Sequence, residues 1–416
     1  MDTRLAMDSM DQYVFEKPSS LSQEYFQVTS ASQTKTDTPR YLVTMYTGIG
    51  DAVVVGLSAI DQFIENDPEA NGKIDILCNS IQAELFAHDP RVNKIIQVKS
   101  SLFPSPSFTA CLYSGFMNAE ATWLVRFLRT RQYEAVLPGM FAPVFYSRLG
   151  SHIMYPHPLQ LMKDFLALRA QKDRPMSKIV RQVINRFFGK DIPISALPES
   201  IPLYIPSLRI QESEALVMQM YKRARLPDRE SKMLVVAPDS SSIITRPPAA
   251  LLVAALTEVL KKRHNLLICV LPSYTDTTSS KRLWRNLASN FAERVVLLAA
   301  NPLPTLLETA AFIDQSDILV TGDTGVMHLA AATKKVQEND NIDIVPCNSV
   351  KIIALFGGTC PGLYGYRART MILGSGRKEQ TAYRPGIIKE SYNPKGRDFF
   401  DHISPEQLTE AILSFL

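Results

Sequence analysis

The chain has 416 residues, a formal net charge of +4 at pH 7 and 46% apolar side chains. That length exceeds one ordinary hydrophobic core, so two domains are the default, and so mild a charge excludes nucleic acid as an obligatory partner. The five cysteines (78, 111, 269, 347 and 360) form no C-x-x-C pair, which points to reduced thiols in a cytoplasmic protein rather than a disulfide framework. Cys78 and Cys269 stand in apolar strand-like runs and read as buried small hydrophobes. No basic and then apolar leader opens the chain. Its longest apolar tract, Ala249 to Leu256, falls far short of a membrane span. The expectation is a cytoplasmic protein without a transmembrane segment, able to visit the inner face of a membrane peripherally.

In chain order, residues 1–39 are a polar, Ser- and Thr-rich tail with one short helix near Asp11 to Phe15; it either stays disordered or docks on a neighbour. Tyr41 to Met45 predicts a strand, Tyr46-Thr-Gly-Ile-Gly-Asp51 a glycine turn, and the residues up to Phe63 an apolar helix. This is a phosphate-loop shape, but it lacks both the G-x-G-x-x-G pattern and the lysine of a P-loop. A strand at Lys73 to Cys78, a helix through Phe86 and a turn and strand from Asp89 to Val98 follow. Next come a Pro/Ser loop at 99–110, an amphipathic helix from Ala121 to Arg131 and a strand at Tyr133 to Leu137. Such alternation predicts a parallel sheet with helices on both faces.

Met162 to Lys190 is basic, with Lys163, Arg169, Lys172, Arg174, Lys178, Arg181, Arg186 and Lys190 against Asp164 and Asp173. The usual meaning of such a run is a solvated helical face. The alternative is an anion-binding patch, for which Lys163, Arg169, Lys172 and Arg174 are the acceptor-binding candidates. Ile201 to Arg225 reads as a proline-bounded strand and a long helix, and Leu226 to Ser231 as a linker. The expected organisation is a tail (1–39), an N-terminal domain (40–226), a C-terminal domain (231–402) and a closing helix (403–416). In that helix Ser404 is the N-cap, with Pro405 at N1 and Gln407 completing a capping box.

The second domain begins with a strand at Met233 to Ala237 and a turn at Pro238 to Ser242. A helix from Ala249 to Arg263, strands at Leu266 to Leu271 and Val295 to Leu298, and a helix from Pro304 to Asp314 follow. Then comes Asp317-Ile-Leu-Val-Thr-Gly-Asp-Thr-Gly-Val-Met-His-Leu-Ala-Ala-Ala332, an apolar strand that turns through glycines into a helix. Free backbone N–H groups at such a turn, with the helix dipole behind them, suit a phosphate or pyrophosphate. His328 either donates to an oxygen there or is structural; Asp323 either bonds a sugar or caps the loop. Thr333 to Val350 is polar and predicts a surface loop. Ile352-Ile-Ala-Leu-Phe-Gly-Gly-Thr-Cys-Pro-Gly-Leu-Tyr-Gly365 adds Gly357, Gly358 and Thr359 as further donors, and 374–400 reads as a Gly-, Arg- and Tyr-rich loop.

These two stretches, in this order, resemble the signatures of glycosyltransferase family 9, the heptosyltransferase-like enzymes. The family patterns are D-T/S-G-x-x-H-L-A-A-A and, one strand later, F/Y-G-x-T-x-P. The resemblance spans residues 41–416 and is strongest in the second domain. It implies the GT-B architecture, two doubly wound Rossmann-like α/β domains facing across a cleft. It also implies inverting, metal-independent transfer of a sugar, heptose among the candidates, from a nucleotide diphosphate sugar to an acceptor hydroxyl. The donor substrate, an ADP-sugar foremost, takes the place of a cofactor; the acceptor is a glycolipid, a saccharide or a natural product.

By position, the resemblance makes Asp51 the general base on the acceptor hydroxyl, against the alternative that Asp51 caps its helix. Donor binding falls to Asp323, Thr324, Gly325, Val326, His328, Gly358 and Thr359. Arg246 stands where the family usually has a phosphate-binding lysine, and Asp276 is the nearest carboxylate for the ribose. No D-x-D and no spaced His/Cys set occurs, so no metal is expected. Two other readings stay open: a nucleotide-sugar epimerase of GT-B fold, and a non-catalytic nucleotide-sugar-binding relative.

Overall fold

The computed structural model describes residues 41–45, 48–98, 135–137, 152–153, 175–227, 230–240, 242–273, 277–298, 304–338, 341–343, 350–359, 361–374 and 399–416. The tail, the 99–110 loop, the 121–131 helix, Lys163, Arg169, Lys172, Arg174, Asp276 and most of the 374–400 loop lie outside them.

The N-terminal sheet comprises β1 (Tyr41–Met45), β2 (Ile74–Asn79), β3 (Val92–Val98), β4 (Ala135–Leu137) and β5 (His152–Ile153). They lie in the order β3-β2-β1-β4-β5 and all pairings are parallel. From β1 the chain passes into a helical turn, Ile49–Asp51, continues as a π-helix, Ala52–Leu57, and ends in the α-helix Ser58–Asn66. Every residue of Ala-Val-Val-Val-Gly-Leu in the π segment is buried, as a segment apolar on all sides must be.

The helix Met176–Phe187 packs against Ser58–Asn66; Arg186 and Lys190 are exposed as a solvated face requires, but one member of the basic run departs from that reading. Arg181 is fully buried; its guanidinium donates to Asp61 Oδ2 at 2.7 Å and to the Ser200 carbonyl at 2.9 Å. Arg91 shares Asp61 at 3.0 Å and binds Asp89 at 2.7 Å. Arg181 is therefore neither solvated nor part of an anion patch. Its acid partner lies 120 positions earlier in the chain, where no local charge pattern reveals it.

Beyond β6 (Pro202–Pro206) and the helix Ser207–Arg223 comes the second sheet. It holds β7 (Lys232–Ala237), β8 (Leu266–Val270), β9 (Val295–Leu297), β10 (Ile318–Gly322), β13 (Lys351–Leu355) and β14 (Thr370–Leu373), in the order β14-β13-β10-β7-β8-β9. All its pairings are parallel. Its strands are nearly continuous apolar runs, buried because helices cover both faces. The closing helix Pro405–Phe415 packs on Ala249–Lys262 and carries the expected capping box: Ser404 Oγ accepts from Gln407 N, and Gln407 Oε1 from Ser404 N.

Thr333 to Val350 departs from the expected surface loop. Its first part is a strand, β11 (Thr333–Glu338), which pairs in parallel with β6 and antiparallel with β12 (Asn341–Asp343). Lys334 is fully buried there, with Nζ 2.8 Å from Asp314 Oδ1 and 3.0 Å from the Ala330 carbonyl. The strand persists because β6 supplies backbone partners and Asp314 supplies the counter-charge, neither of which is local in sequence.

Other contacts join the two halves. Glu84 Oε2 accepts from Leu306 N at 2.8 Å, at the start of the helix Leu306–Asp314. Arg209 binds Glu308 at 2.7 Å. Burial raises the Glu84 carboxyl above its ordinary value, against the lowering influence of the Leu306 amide and the Thr305 hydroxyl. A carboxyl raised in the folded state holds a proton that the unfolded chain has released, so stability falls as pH climbs from the ordinary carboxylate range through the raised value. Glu84→Gln removes that loss. From about pH 4 to about pH 7 the denaturation midpoint of the variant is expected to gain on that of the wild type. Parallel curves for the two proteins would contradict the assignment.

Candidate functional site

Strands β7 and β10 are neighbours, with Ile318 paired to Leu234 and Thr321 to Ala237. From β7 the chain builds outward to β8 and β9, and from β10 the other way to β13 and β14. Open α/β sheets bind ligands beyond the carboxyl ends of strands at such a switch point. A cavity of about 470 Å³ lies there. Its wall takes Asp239 and Ser240 from the end of β7, and Asp323, Thr324, Gly325, Val326 and His328 from the end of β10. Gly48, Ile49, Gly50, Ile81 and Gln82 close it from the N-terminal half.

The glycines of the two turns bring the halves together. A Cβ on Gly50 would stand 2.6 Å from Cδ2 of His328, and one on Gly325 would stand 2.9 Å from Cβ of Ile49. The two turns thus touch across the cleft, and a methyl group on either would force a shift. Packed together, the two turns shape one cavity.

His328 is 4% exposed. Its Nδ1 lies 2.7 Å from Tyr366 Oη, and its Nε2 lies 3.4 Å from Asp323 Oδ1. Thr324 is the N-cap of the helix Gly325–Ala331, with its hydroxyl 3.2 Å from that of Thr321. Thr359, reached through the second motif, lines the cavity with a buried hydroxyl that has no hydrogen-bond partner among the described residues. Buried hydroxyls are normally satisfied, so this one is available to a ligand.

Other candidates are placed differently. Arg246 Nε donates to the Ser240 carbonyl at 2.9 Å, so its guanidinium braces the turn that forms the cavity wall. The amide of Gly358 donates to the Ile244 carbonyl at 2.8 Å and is committed to the fold. Position 51 follows directly on Gly50 in the helical turn. The N-cap of that turn is Gly48, which removes the alternative that Asp51 occupies the cap. Ionisable clusters of three or more His, Cys, Asp or Glu able to hold a metal do not occur among the described residues. Among the same residues no helix is long and apolar enough to cross a membrane.

Two residues of this region escaped sequence reasoning. Asp239 is buried, and its carboxylate accepts from Ser280 N at 3.0 Å and Ser273 N at 3.1 Å, fixing the loop at the cavity mouth and the start of the helix Thr278–Phe291. An acid just after a strand in Ala-Pro-Asp-Ser was the available signal. Tyr366 follows the second motif directly, and nothing in the chain links it to His328, 38 residues away.

Two parallel α/β layers with a cavity beside the carboxyl ends of their strands form the GT-B arrangement. Residues 154–337 match the model of glycosyltransferase family 9 (heptosyltransferase). Lipooligosaccharide heptosyltransferase 2 of Haemophilus ducreyi is 22% identical over 321 residues, covering 75% of this chain and 82% of that protein. The family 9 glycosyltransferase of Veillonella parvula superposes with a TM-score of 0.58 at 14% identity, over 92% of this chain and 98% of its own. The Escherichia coli heptosyltransferase WaaC, solved with ADP, superposes with a TM-score of 0.55 at 16% identity, over 91% and 100% of the two chains. Over residues 154–337 the chain is thus similar to glycosyltransferase family 9, and it shares its fold with these solved structures.

Proposed function

We propose that the chain transfers a glycosyl group from a nucleoside diphosphate sugar, an ADP-sugar foremost, to the hydroxyl of a saccharide or glycolipid acceptor, by a single displacement with inversion. The acceptor oxygen bonds to the anomeric carbon as the bond from that carbon to the diphosphate oxygen breaks. The hydroxyl proton passes to the carboxylate of Asp51. Negative charge then builds on the departing diphosphate, and the donors around the cavity answer it: the Thr324 and Thr359 hydroxyls, His328 and the backbone of the 323–326 turn. On this reading the reaction needs no metal ion.

The observation that carries the proposal is the interdomain cavity, with Thr324, His328 and a Thr359 hydroxyl that has no partner among the described residues on one wall, and the Gly48 to Gly50 turn, leading into Asp51, on the other. Both family motifs contribute to it, although the family match itself ends at residue 337, before the second motif.

Calorimetric titration with ADP, UDP, GDP and dTDP, in the presence of a chelator, tests the donor side. ADP is expected to bind best, and His328→Ala to weaken it about tenfold, the scale of one hydrogen bond to a charged group. If none of the four binds, the donor-site reading is wrong. Binding only after a divalent metal is restored would overturn metal independence. Consumption of donor without any acceptor would move the assignment to an epimerase.

A further inference from the structure

The imidazole of His328 stands between two oxygen partners that together constrain its proton. In a neutral imidazole one ring nitrogen donates and the other accepts. A carboxylate oxygen only accepts, so Asp323 Oδ1, 3.4 Å from Nε2, favours a proton on Nε2. The phenol of Tyr366, 2.7 Å from Nδ1, can donate or accept. Burial pushes that phenol well above its ordinary value, and the negative charges of Asp323 and Glu199 act in the same direction. It therefore keeps its proton and has it to give. Donating that proton to Nδ1 fits the tautomer that Asp323 favours.

The ring is also held in place. Its Cδ2–Nε2 edge faces Gly50, where even a Cβ would come within 3.1 Å of Nε2. Tyr366 and Tyr364 flank it at edge-on angles of 67°, with centroids 5.6 and 6.3 Å away. Nε2 thus lies beside Asp323 and Gly50, both of which line the cavity, whereas Tyr366 is absent from the cavity wall.

We infer that Tyr366 is a positioning residue: its phenolic O–H donates to Nδ1 of His328 and so keeps the His328 proton on Nε2, at the cavity, where it can donate to an oxygen of the departing diphosphate. This rests on the reading of the cavity as a donor site, and it deepens that reading. Tyr366 acts only through the histidine. Removing its hydroxyl frees Nδ1 to take the proton, and Nε2 then presents a lone pair to an anion it was placed to bind.

The test is a long-range proton–nitrogen correlation spectrum of protein labelled with 15N-histidine at about pH 8, where an ordinary imidazole is neutral. The chain has six histidines, and His328→Gln assigns the signal by its disappearance. The wild type is expected to show a bare Nδ1 and a protonated Nε2. Tyr366→Phe, which keeps the ring and removes only the hydroxyl, is expected to move population to the Nδ1-protonated form and to weaken ADP binding about three- to tenfold. A wild-type proton on Nδ1, or a tautomer unchanged in Tyr366→Phe, overturns the proposal. Should that variant not fold, incorporation of 3-fluorotyrosine, a stronger donor, is expected to move the His328 Nδ1 resonance, and an unmoved resonance overturns the proposal equally. If the wild type binds none of the four nucleoside diphosphates, the donor-site reading falls, while the spectra still decide what Tyr366 does to His328.

Discussion

Asp51→Asn is expected to lower the rate of sugar transfer roughly a hundred- to ten-thousand-fold, the range over which a positioned general base acts. Nucleoside diphosphate affinity should stay within about a factor of two, because the base serves the acceptor and not the donor. The substitution separates roles cleanly. Asparagine has the size of aspartate and caps helices as well, but it takes up no proton at neutral pH. The cap position in any case falls on Gly48. At the third residue of the helical turn, loss of the charge should cost about 1 kcal/mol or less through the helix dipole. A variant with normal stability, normal ADP binding and almost no transfer is the expected result. Full transfer activity would remove Asp51 from the chemistry.

Lys334→Ala is expected to destabilise the fold by about 3–5 kcal/mol, the usual cost of stripping one partner from a buried ion pair. Asp314 is the reason. Burial raises its carboxyl above the ordinary value, and Lys334 pulls it back. Without Lys334 the carboxylate faces the interior with its closest cation gone. The damage would reach the joint between the halves, because Lys334 sits on β11 and β11 is paired to β6. Urea or guanidinium unfolding measures it. Replacing both partners, as Lys334→Met with Asp314→Leu, should recover most of the loss, since removing both charges also removes the desolvation penalty. An unchanged midpoint for Lys334→Ala would mean that the pair contributes nothing to stability.

Several features were legible before any coordinates. The alternation of apolar runs with helical periods predicted the parallel sheets, because strands buried on both faces must be apolar throughout. The capping box at Ser404 and Gln407 was legible because its partners lie three residues apart. The switch-point site followed from a strand ending in Thr-Gly-Asp-Thr-Gly beside a helical pattern. By contrast, Lys334 and Arg181 read as surface charges. Each is buried against an acid that local sequence does not bring near: Asp314 for one, Asp61 for the other.

The sequence by itself determined the fold class, the two motifs and the glycine turns that contribute part of the cavity wall, because these depend on periodicity and on turns whose chemistry is local. Tertiary structure alone decided which charges are buried, that β11 joins β6, and that Gly50 and Gly325 serve to bring the two halves into contact. It also set Tyr366 against His328. These are long-range pairings, fixed by where packed helices and strands bring distant side chains together, and no spacing within the chain encodes them.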